Sequence, residues 1–434
     1  MKVYEYKRDS LKVLLDALNK RSPEGQVEVE KVTADIIRNV KELKDEALIE
    51  YSRKFDRVEL TALTLEVPQN DLDEALSSVD LDLLSVIEKA ATNIRAFHEK
   101  QVENSWFTTD KTGILLGQKI TPLSRVGVYA PAGSAPLPST VLMDVIPAKV
   151  AGVDEVILCS PPGKNGKVDP LILACAKLAG ADRVFMVGGA QAIAAMAYGT
   201  QTIPKVDKIV GPGNIYVATA KKMVFGVCGI DMIAGPSEIL IIADETANPA
   251  YVAADLLSQA EHDKLASSIL ITTSKELAQR VSQEVDQQLL RLTRNEIASK
   301  SIEKYGAIII TDTIEEAIKI SNSIAPEHLE VCTKDPFELL SSIKNAGAIF
   351  LGNYSPEPLG DYFAGPNHTL PTSGTARFFS PLGVYDFIKR QSVISYNRDA
   401  FNEVAADVAA FAQAEGLTAH AQAIRIRTKT EERK

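Results

Sequence analysis

The 434-residue sequence predicts an α/β fold, with two parallel-sheet units covered by helices and flanking a cleft, and small helical extensions at both ends. Two patterns and the length support this. From Ile120 onward short apolar runs alternate with helical stretches, and that alternation builds parallel sheets with helices on both faces. The runs fall into two series that break near residue 236, which suggests two sheets. A single hydrophobic core stops growing beyond about 250–300 residues, so a chain of this length is expected to divide.

Residues 1 to about 110 are mainly helical and charged; over 32–54 the apolar residues Ile36, Ile37, Val40, Leu43, Ala47 and Leu48 recur with a helical period. Residues 155–158 and 183–187 read as buried strands, and 170–180 between them reads as a helix ended by Gly180. A third strand over 208–210 precedes Gly211-Pro212-Gly213-Asn214 and another helix. The second series has strands over 239–243, 268–272, 307–311 and 348–351, with helices between them. From about residue 381 the chain reads as helical again, with Phe401, Val404, Val408 and Phe411 on one face. A short helix after Thr418, a suitable N-cap, carries His420. This last segment is too small to bury its own apolar face, so it is expected to pack on another domain or another subunit.

Hydrophobic residues make up 45% of the chain and charged residues 24%, the balance of a soluble globular protein. The net charge of -10 argues against nucleic acid, because no basic stripe offers a phosphate footprint. It suits a small cationic substrate, although solubility is the simpler explanation. The first ten residues hold no secretory core, and no run of about 18 apolar residues is present to span a bilayer. Cys159, Cys175, Cys228 and Cys332 are dispersed without a CxxC pair, which reads as reduced thiols in a cytoplasmic protein.

Four of the five histidines lie in short polar clusters of the second half: around Gln259 to Asp263, Pro326 to His328, Asp361 to His368, and Glu415 to His420. Imidazole is the common zinc ligand and the common general base, so the clustering suggests one metal-assisted site assembled from distant segments. Gln259 and His262 share a face of a helical stretch and can hold one divalent metal; a QxxH pair alone favours a buried core histidine by about two to one. Asp361 follows a strand and a polar loop, where open α/β sheets place ligands, or it simply caps a helix in a surface turn. Adjacent residues on a helix diverge by about 100°, so Glu327 and His328 suit two roles around one substrate. Pro326 would start that helix, whose N-terminus would lower the His328 pKa and leave a neutral general base; a surface Glu-His pair is the plain alternative. Gly188-Gly189-Ala190-Gln191, Gly211-Pro212-Gly213-Asn214 and Gly235-Pro236-Ser237 could bring backbone amides to a phosphate, and Tyr129 could stack on a nucleotide, although each also reads as a tight turn or a buried tyrosine. Cys159 has no neighbouring histidine and an apolar setting, which argues against a catalytic thiol. His98 reads as structural, and His420 with Glu415 carries the weaker signal.

Together and in this order, VGVYAPAGSAPLPSTVLM, VGGAQAIAAMAYGT, GPGN, GIDMIAGPSE, DLLSQAEHD, APEHLE, GDYFAGPNHTLPTSGTARF and EGLTAHAQA resemble the histidinol dehydrogenases, over about residues 126–423. Ala132 departs from the glycine usual in its loop. The resemblance implies NAD-dependent oxidation of L-histidinol to L-histidine through L-histidinaldehyde, the last steps of histidine biosynthesis. It implies one zinc ion per subunit held by Gln259, His262, Asp361 and His420. Those four, with Ser237, His328, His368 and Glu415, are the implied substrate-binding residues, and Tyr129, Gln191 and Asn214 the implied nucleotide contacts. His328 is the expected general base and Glu327 the residue that activates water. A cytoplasmic homodimer is implied, in which the C-terminal segment of one subunit completes its partner's site.

The expected organisation is an N-terminal helical extension over 1–25 and a first Rossmann-like domain over 26–118 and 237–380 carrying the metal and catalytic residues. An NAD-binding second domain over 119–236 and a C-terminal helical segment over 381–434 complete it. A related dehydrogenase acting on another polar alcohol is the nearest rival; a zinc-binding scaffold and a zinc hydrolase lie further off, the last lacking HExxH.

Overall fold

The computed structural model describes residues 1–8, 10–19, 21, 27–132 and 136–428. The expected boundary at residues 25 and 26, and Gly133 to Ala135 of the loop that follows Ala132, lie outside the described residues. The chain forms two compact units, one of Met1–Val102 with Leu123–Phe387 and one of Glu103–Pro122 with Ile388–Lys434.

The first unit contains the two expected parallel sheets. The six-stranded sheet has the order Lys2–Glu5, Gly306–Ile310, Ser267–Thr272, Glu238–Ala243, His328–Cys332, Ala348–Leu351. The five-stranded sheet runs Arg183–Phe185, Glu155–Cys159, Arg125–Tyr129, Lys208–Val210, Gly229–Ile230. All neighbours in both are parallel. Strand Glu238–Ala243 is buried at every position, which is why Ile239 to Ala243 is a continuous aliphatic run. Successive side chains enter opposite cores. Ile239 and Ile241 pack with Val252 and Leu256 of helix Pro249–Ala260, and Leu240 and Ile242 with Leu14, Leu18 and Ala317. Burying each such side chain is worth about 1.5–3 kcal/mol.

The same alternation operates in the other sheet, where Val156 and Leu158 face one core and Ile157 and Cys159 the other. Helix Val27–Leu43 adds Ile36, Ile37 and Val40 to the core that contains Ile157, and helix Leu81–Glu99 adds Ile94 to the core that contains Val156. The helices over residues 27–99, expected beside the metal-bearing segment, therefore cover the five-stranded sheet. The N-terminal extension also differs from a purely helical one, because Lys2–Glu5 joins the edge of the six-stranded sheet before helix Lys12–Asn19.

The second unit has a three-stranded antiparallel sheet of Ile388–Tyr396, Ile114–Pro122 and Trp106–Thr108, followed by helices Arg398–Ala414 and Thr418–Thr428. The C-terminal segment is thus not wholly helical. Strand Ile388–Tyr396 is mostly exposed and polar, so ladder hydrogen bonds rather than an apolar run define it. Within the helix that follows, Ala400, Ala405 and Ala409 are buried, whereas Val408 is 43% and Phe411 70% exposed. No helix among the described residues is long and apolar enough to cross a membrane.

Candidate active site

The two sheets present opposite strand ends to the candidate site. In the five-stranded sheet the order reverses between Arg125–Tyr129 and Lys208–Val210. Tyr129 ends the first of these strands, Gly211 to Asn214 follows the second, and Gly188 to Gln191 follows Arg183–Phe185, all at carboxyl ends as open α/β sheets require. In the six-stranded sheet the reversal lies between Glu238–Ala243 and His328–Cys332. Here the chemistry sits at the amino ends: His328 opens its strand, in register with Ile239 and Ala348. Asp361 reaches that end because helix Glu357–Tyr362 carries it back, which corrects its placement in a loop at a carboxyl end.

Glu327 and His328 are not on a helix. Pro326 precedes a strand whose centre holds Glu330, only 1% exposed, and Glu330 accepts a 2.8 Å hydrogen bond from the Glu357 backbone N–H. His328 is 3% exposed, with Nδ1 3.0 Å from the Glu238 carbonyl. A carbonyl only accepts, so Nδ1 carries the hydrogen and Nε2 is left as the basic nitrogen. The Gln259 amide nitrogen, 3.2 Å from the same Nδ1, is then a packed neighbour. Nε2 is buried without a hydrogen-bond partner, 3.7 Å from Asp361 Oδ1. Glu327 Oε2 accepts from the Glu238 backbone N–H at 2.8 Å and lies 3.6 Å from His328 Nδ1. One peptide segment thus orients both side chains, and the Glu238 carboxylate is itself paired with buried Arg21. Burial pushes the Glu327 carboxyl up to about 8. Burial alone would lower His328, but Glu327 and Asp361 overcome it and hold the imidazole up to about 10, opposite to the depression expected from a helix N-terminus.

Next to this pair is a set of metal-ligating groups. His262, Glu357 and Asp361 each present one ligand atom within 4.8 Å of the others. Gln259, in the last turn of helix Pro249–Ala260, is 1% exposed and its Oε1 has no partner, and His262 follows in the turn beyond that helix. Two carboxylates, an imidazole and an orphaned amide oxygen form a hard-to-borderline donor set that fits zinc or a similar divalent ion. Against burial, His328 and His368 hold Asp361 well below the usual carboxylate range. Glu357 was not among the expected residues. Its signal was the i, i+4 spacing to Asp361, obscured by Pro356, Pro358 and Gly360, which read as loop. Ser258 Oγ donates to Glu357 at 3.0 Å.

His368 Nδ1 stands 3.8 Å from Asp361 Oδ1, and its Nε2 is buried without a partner. Its loop is tied down on both sides, by Asn367 Nδ2 donating to Met143 O at 2.6 Å and Thr369 Oγ1 to Asp144 Oδ1 at 2.8 Å. Ser237 immediately precedes strand Glu238–Ala243 and is partly buried. Tyr129, Gln191 and Asn214 line one cavity of about 880 Å³, which also reaches His262. The Tyr129 hydroxyl accepts from the Gly189 N–H at 3.0 Å, and Asn214 caps helix Ile215–Val224. Glu415 and His420 belong to the second unit, both exposed. Cys159 is fully buried at a strand end, and burial pushes its thiol up, away from nucleophilic use. His98 is buried within its helix, Nδ1 2.8 Å from the Ile94 carbonyl.

The family model described as histidinol dehydrogenase matches residues 19–428. The histidinol dehydrogenase of Aquifex aeolicus is 56% identical over 429 residues, covering 98% of this chain and 99% of the relative. That of Clostridium acetobutylicum is 55% identical over 413 residues, with 95% of each chain covered. The crystal structure of histidinol dehydrogenase from Elizabethkingia anophelis superposes with a TM-score of 0.92 at 40% identity, covering 99% of this chain and 98% of that one. On sequence and fold together, the chain belongs to the histidinol dehydrogenase family.

Proposed function

We propose that the chain oxidises L-histidinol to L-histidine through L-histidinaldehyde, with two NAD molecules in turn each accepting one hydride, as the last steps of histidine biosynthesis in the cytoplasm. The observation that carries this is the convergence of the buried His328–Glu327 pair with the Gln259, His262 and Asp361 donors, beside a cavity lined by Tyr129, Gln191 and Asn214. Residues 237–380 supply the metal and catalytic groups and 119–236 the nucleotide contacts.

Gln259, His262 and Asp361 would hold a zinc ion, with His420 as the fourth ligand. Zinc there supplies an orienting charge for the substrate's imidazole and amino groups. NAD, bound by Tyr129, Gln191 and Asn214, supplies the hydride acceptor. Ser237, His368 and Glu415 complete the substrate pocket. His328, once its raised imidazole has given up the Nε2 proton, takes the alcohol proton there as hydride leaves the carbinol carbon, so this step should gain as pH rises. Glu327, whose burial makes it a stronger base once ionised, takes a proton from the water that adds to the aldehyde. As that water adds, His328 returns its proton to the aldehyde oxygen, so the gem-diol forms with Nε2 free again; the gem-diol then loses its hydride as Nε2 takes the hydroxyl proton. Holding the aldehyde among buried groups keeps a reactive species from escaping.

Substrate entry at two stages separates the two roles. Supplying L-histidinaldehyde bypasses the alcohol step. Glu327→Gln should lose about 10²–10⁴-fold in aldehyde oxidation while single-turnover NADH formation from L-histidinol persists. His328→Asn should lose a similar factor from L-histidinol. Hydride transfer from L-histidinol that survives in His328→Asn and vanishes in Glu327→Gln would overturn the assignment.

A further inference from the structure

Phe55 and Asp56 line the same cavity as Tyr129, Gln191 and Asn214. Both come from the π-helix Ser52–Asp56, whose C-cap Arg57 has a left-handed backbone at φ 60°. Single π-turns and non-glycine residues at positive φ cost backbone energy and concentrate at binding sites. Tyr51 stacks on Phe55, with ring centroids 5.5 Å apart and planes 1° from parallel, and leaves Phe55 49% exposed. Asp56 Oδ2 is buried and has no hydrogen-bond partner. Burial pushes the carboxyl up to about 6, with no cation acting against it. An acceptor buried in this way is costly unless a ligand brings the missing donors.

We propose that Asp56 recognises the adenosine ribose of the dinucleotide and sets the preference for NAD over NADP. Its two oxygens accept from the vicinal 2′- and 3′-hydroxyls, and the half-exposed Phe55 ring, which has the Lys54 ammonium 5.4 Å from its centroid, gives the adenine an apolar neighbour in the same cavity. A 2′-phosphate would remove one donor and set a dianion against the carboxylate. Dinucleotide-binding sheets commonly draw such an acidic residue from the sheet itself. Here it comes from a helical segment packed on that sheet, since Tyr51 and Val58 share the core of Ile157 and Ile193. Lys164 also lines the cavity and is exposed. It offers the opposite preference if the ribose lies beside it instead. The inference rests on the assignment of this cavity to NAD.

The test is calorimetric titration of NAD and of NADP into the zinc-loaded full chain, for the wild type, Asp56→Ala and the near-isosteric Asp56→Asn. Two charge-assisted hydrogen bonds predict a Kd for NAD about 10- to 100-fold higher in Asp56→Ala, a smaller loss in Asp56→Asn, and an NADP affinity unchanged or improved in both. In steady-state assays the change should fall on the KM for NAD and not on the KM for L-histidinol at saturating NAD. Folded variants that keep the wild-type NAD affinity, or a wild type that prefers NADP, would overturn the inference alone. A wild type that binds neither nucleotide would overturn the NAD assignment, and the inference with it.

Discussion

Gln259 carries a buried amide oxygen that nothing among the described residues satisfies, next to the His328 imidazole, whose Nε2 is equally unpartnered. Such groups cost stability unless a ligand fills the gap, so they are more informative than exposed donors. Gln259→Leu removes the orphan and should leave the metal-free protein as stable as the wild type, or more stable by up to about 1 kcal/mol. The same change should weaken zinc binding by at least about tenfold in a chelator competition. A variant that binds zinc like the wild type would exclude Gln259 as a ligand. Gln259 and His262 were legible as a pair from their spacing of three, whereas Asp361, in a segment far away in sequence, carried no spacing signal to them. The electrostatics of His328 were not legible either. The carboxylates that raise it, Glu327 apart, come from a segment more than 25 residues away in sequence, on helix Glu357–Tyr362.

At the scale of elements, the loop Gly211 to Asn214 is held by a buried ion pair. Lys221 pairs with Asp231 and donates to the Gly211 carbonyl at 2.8 Å, while Asp231 accepts from the Gly211 N–H at 2.8 Å. Gly211 itself has φ 112°, and a Cβ there would lie 2.2 Å from the Tyr129 carbonyl. Lys221→Met leaves Asp231 buried without its cation and should cost about 3–5 kcal/mol in chemical denaturation. A loss below about 1 kcal/mol would contradict that role. Asp144 lies beside the same pair, and burial pushes its carboxyl up to about 8, with Asp231 adding to the rise and Thr369 and Lys221 opposing it. A carboxyl raised in the folded state binds its proton more tightly there than in the unfolded chain. Its stabilisation is therefore complete below the unfolded value near pH 4 and is lost progressively as pH rises to about 8. Asp144→Asn should flatten the fall of the denaturation midpoint over that window, and an unchanged pH profile would contradict it.

Strands over 155–158 and 239–243 were legible because they are mostly buried apolar runs, and 348–351 because it is apolar, although it is only half-buried. Strand His328–Cys332 was not, since Pro326 and two glutamates resemble a helix start until Glu330 finds the Glu357 backbone. Strand Ile388–Tyr396 was hidden for a related reason: its partner Ile114–Pro122 is far away in sequence, and its own composition is polar.

At the scale of the whole molecule, the second unit buries mainly alanines and leaves Phe411, Leu417 and Ile426 exposed, which fits a proposed homodimer with shared sites. If His420 and Glu415 serve the partner's site, two inactive variants should complement each other. His328→Ala has an intact C-terminal segment and His420→Ala an intact catalytic strand. After subunit exchange, about a quarter of wild-type activity should return, because half of the dimers are mixed and each holds one complete site. Absence of recovery from verified mixed dimers would place both residues in the same site as their own His328.

The most direct test of the proposed chemistry counts NADH formed from limiting L-histidinol and excess NAD, before chelation, after it, and after zinc is returned. Two NADH per L-histidinol, abolished by the chelator and restored by zinc, is the predicted result. One NADH per L-histidinol with accumulation of free aldehyde, or full turnover in the metal-free protein, would contradict it.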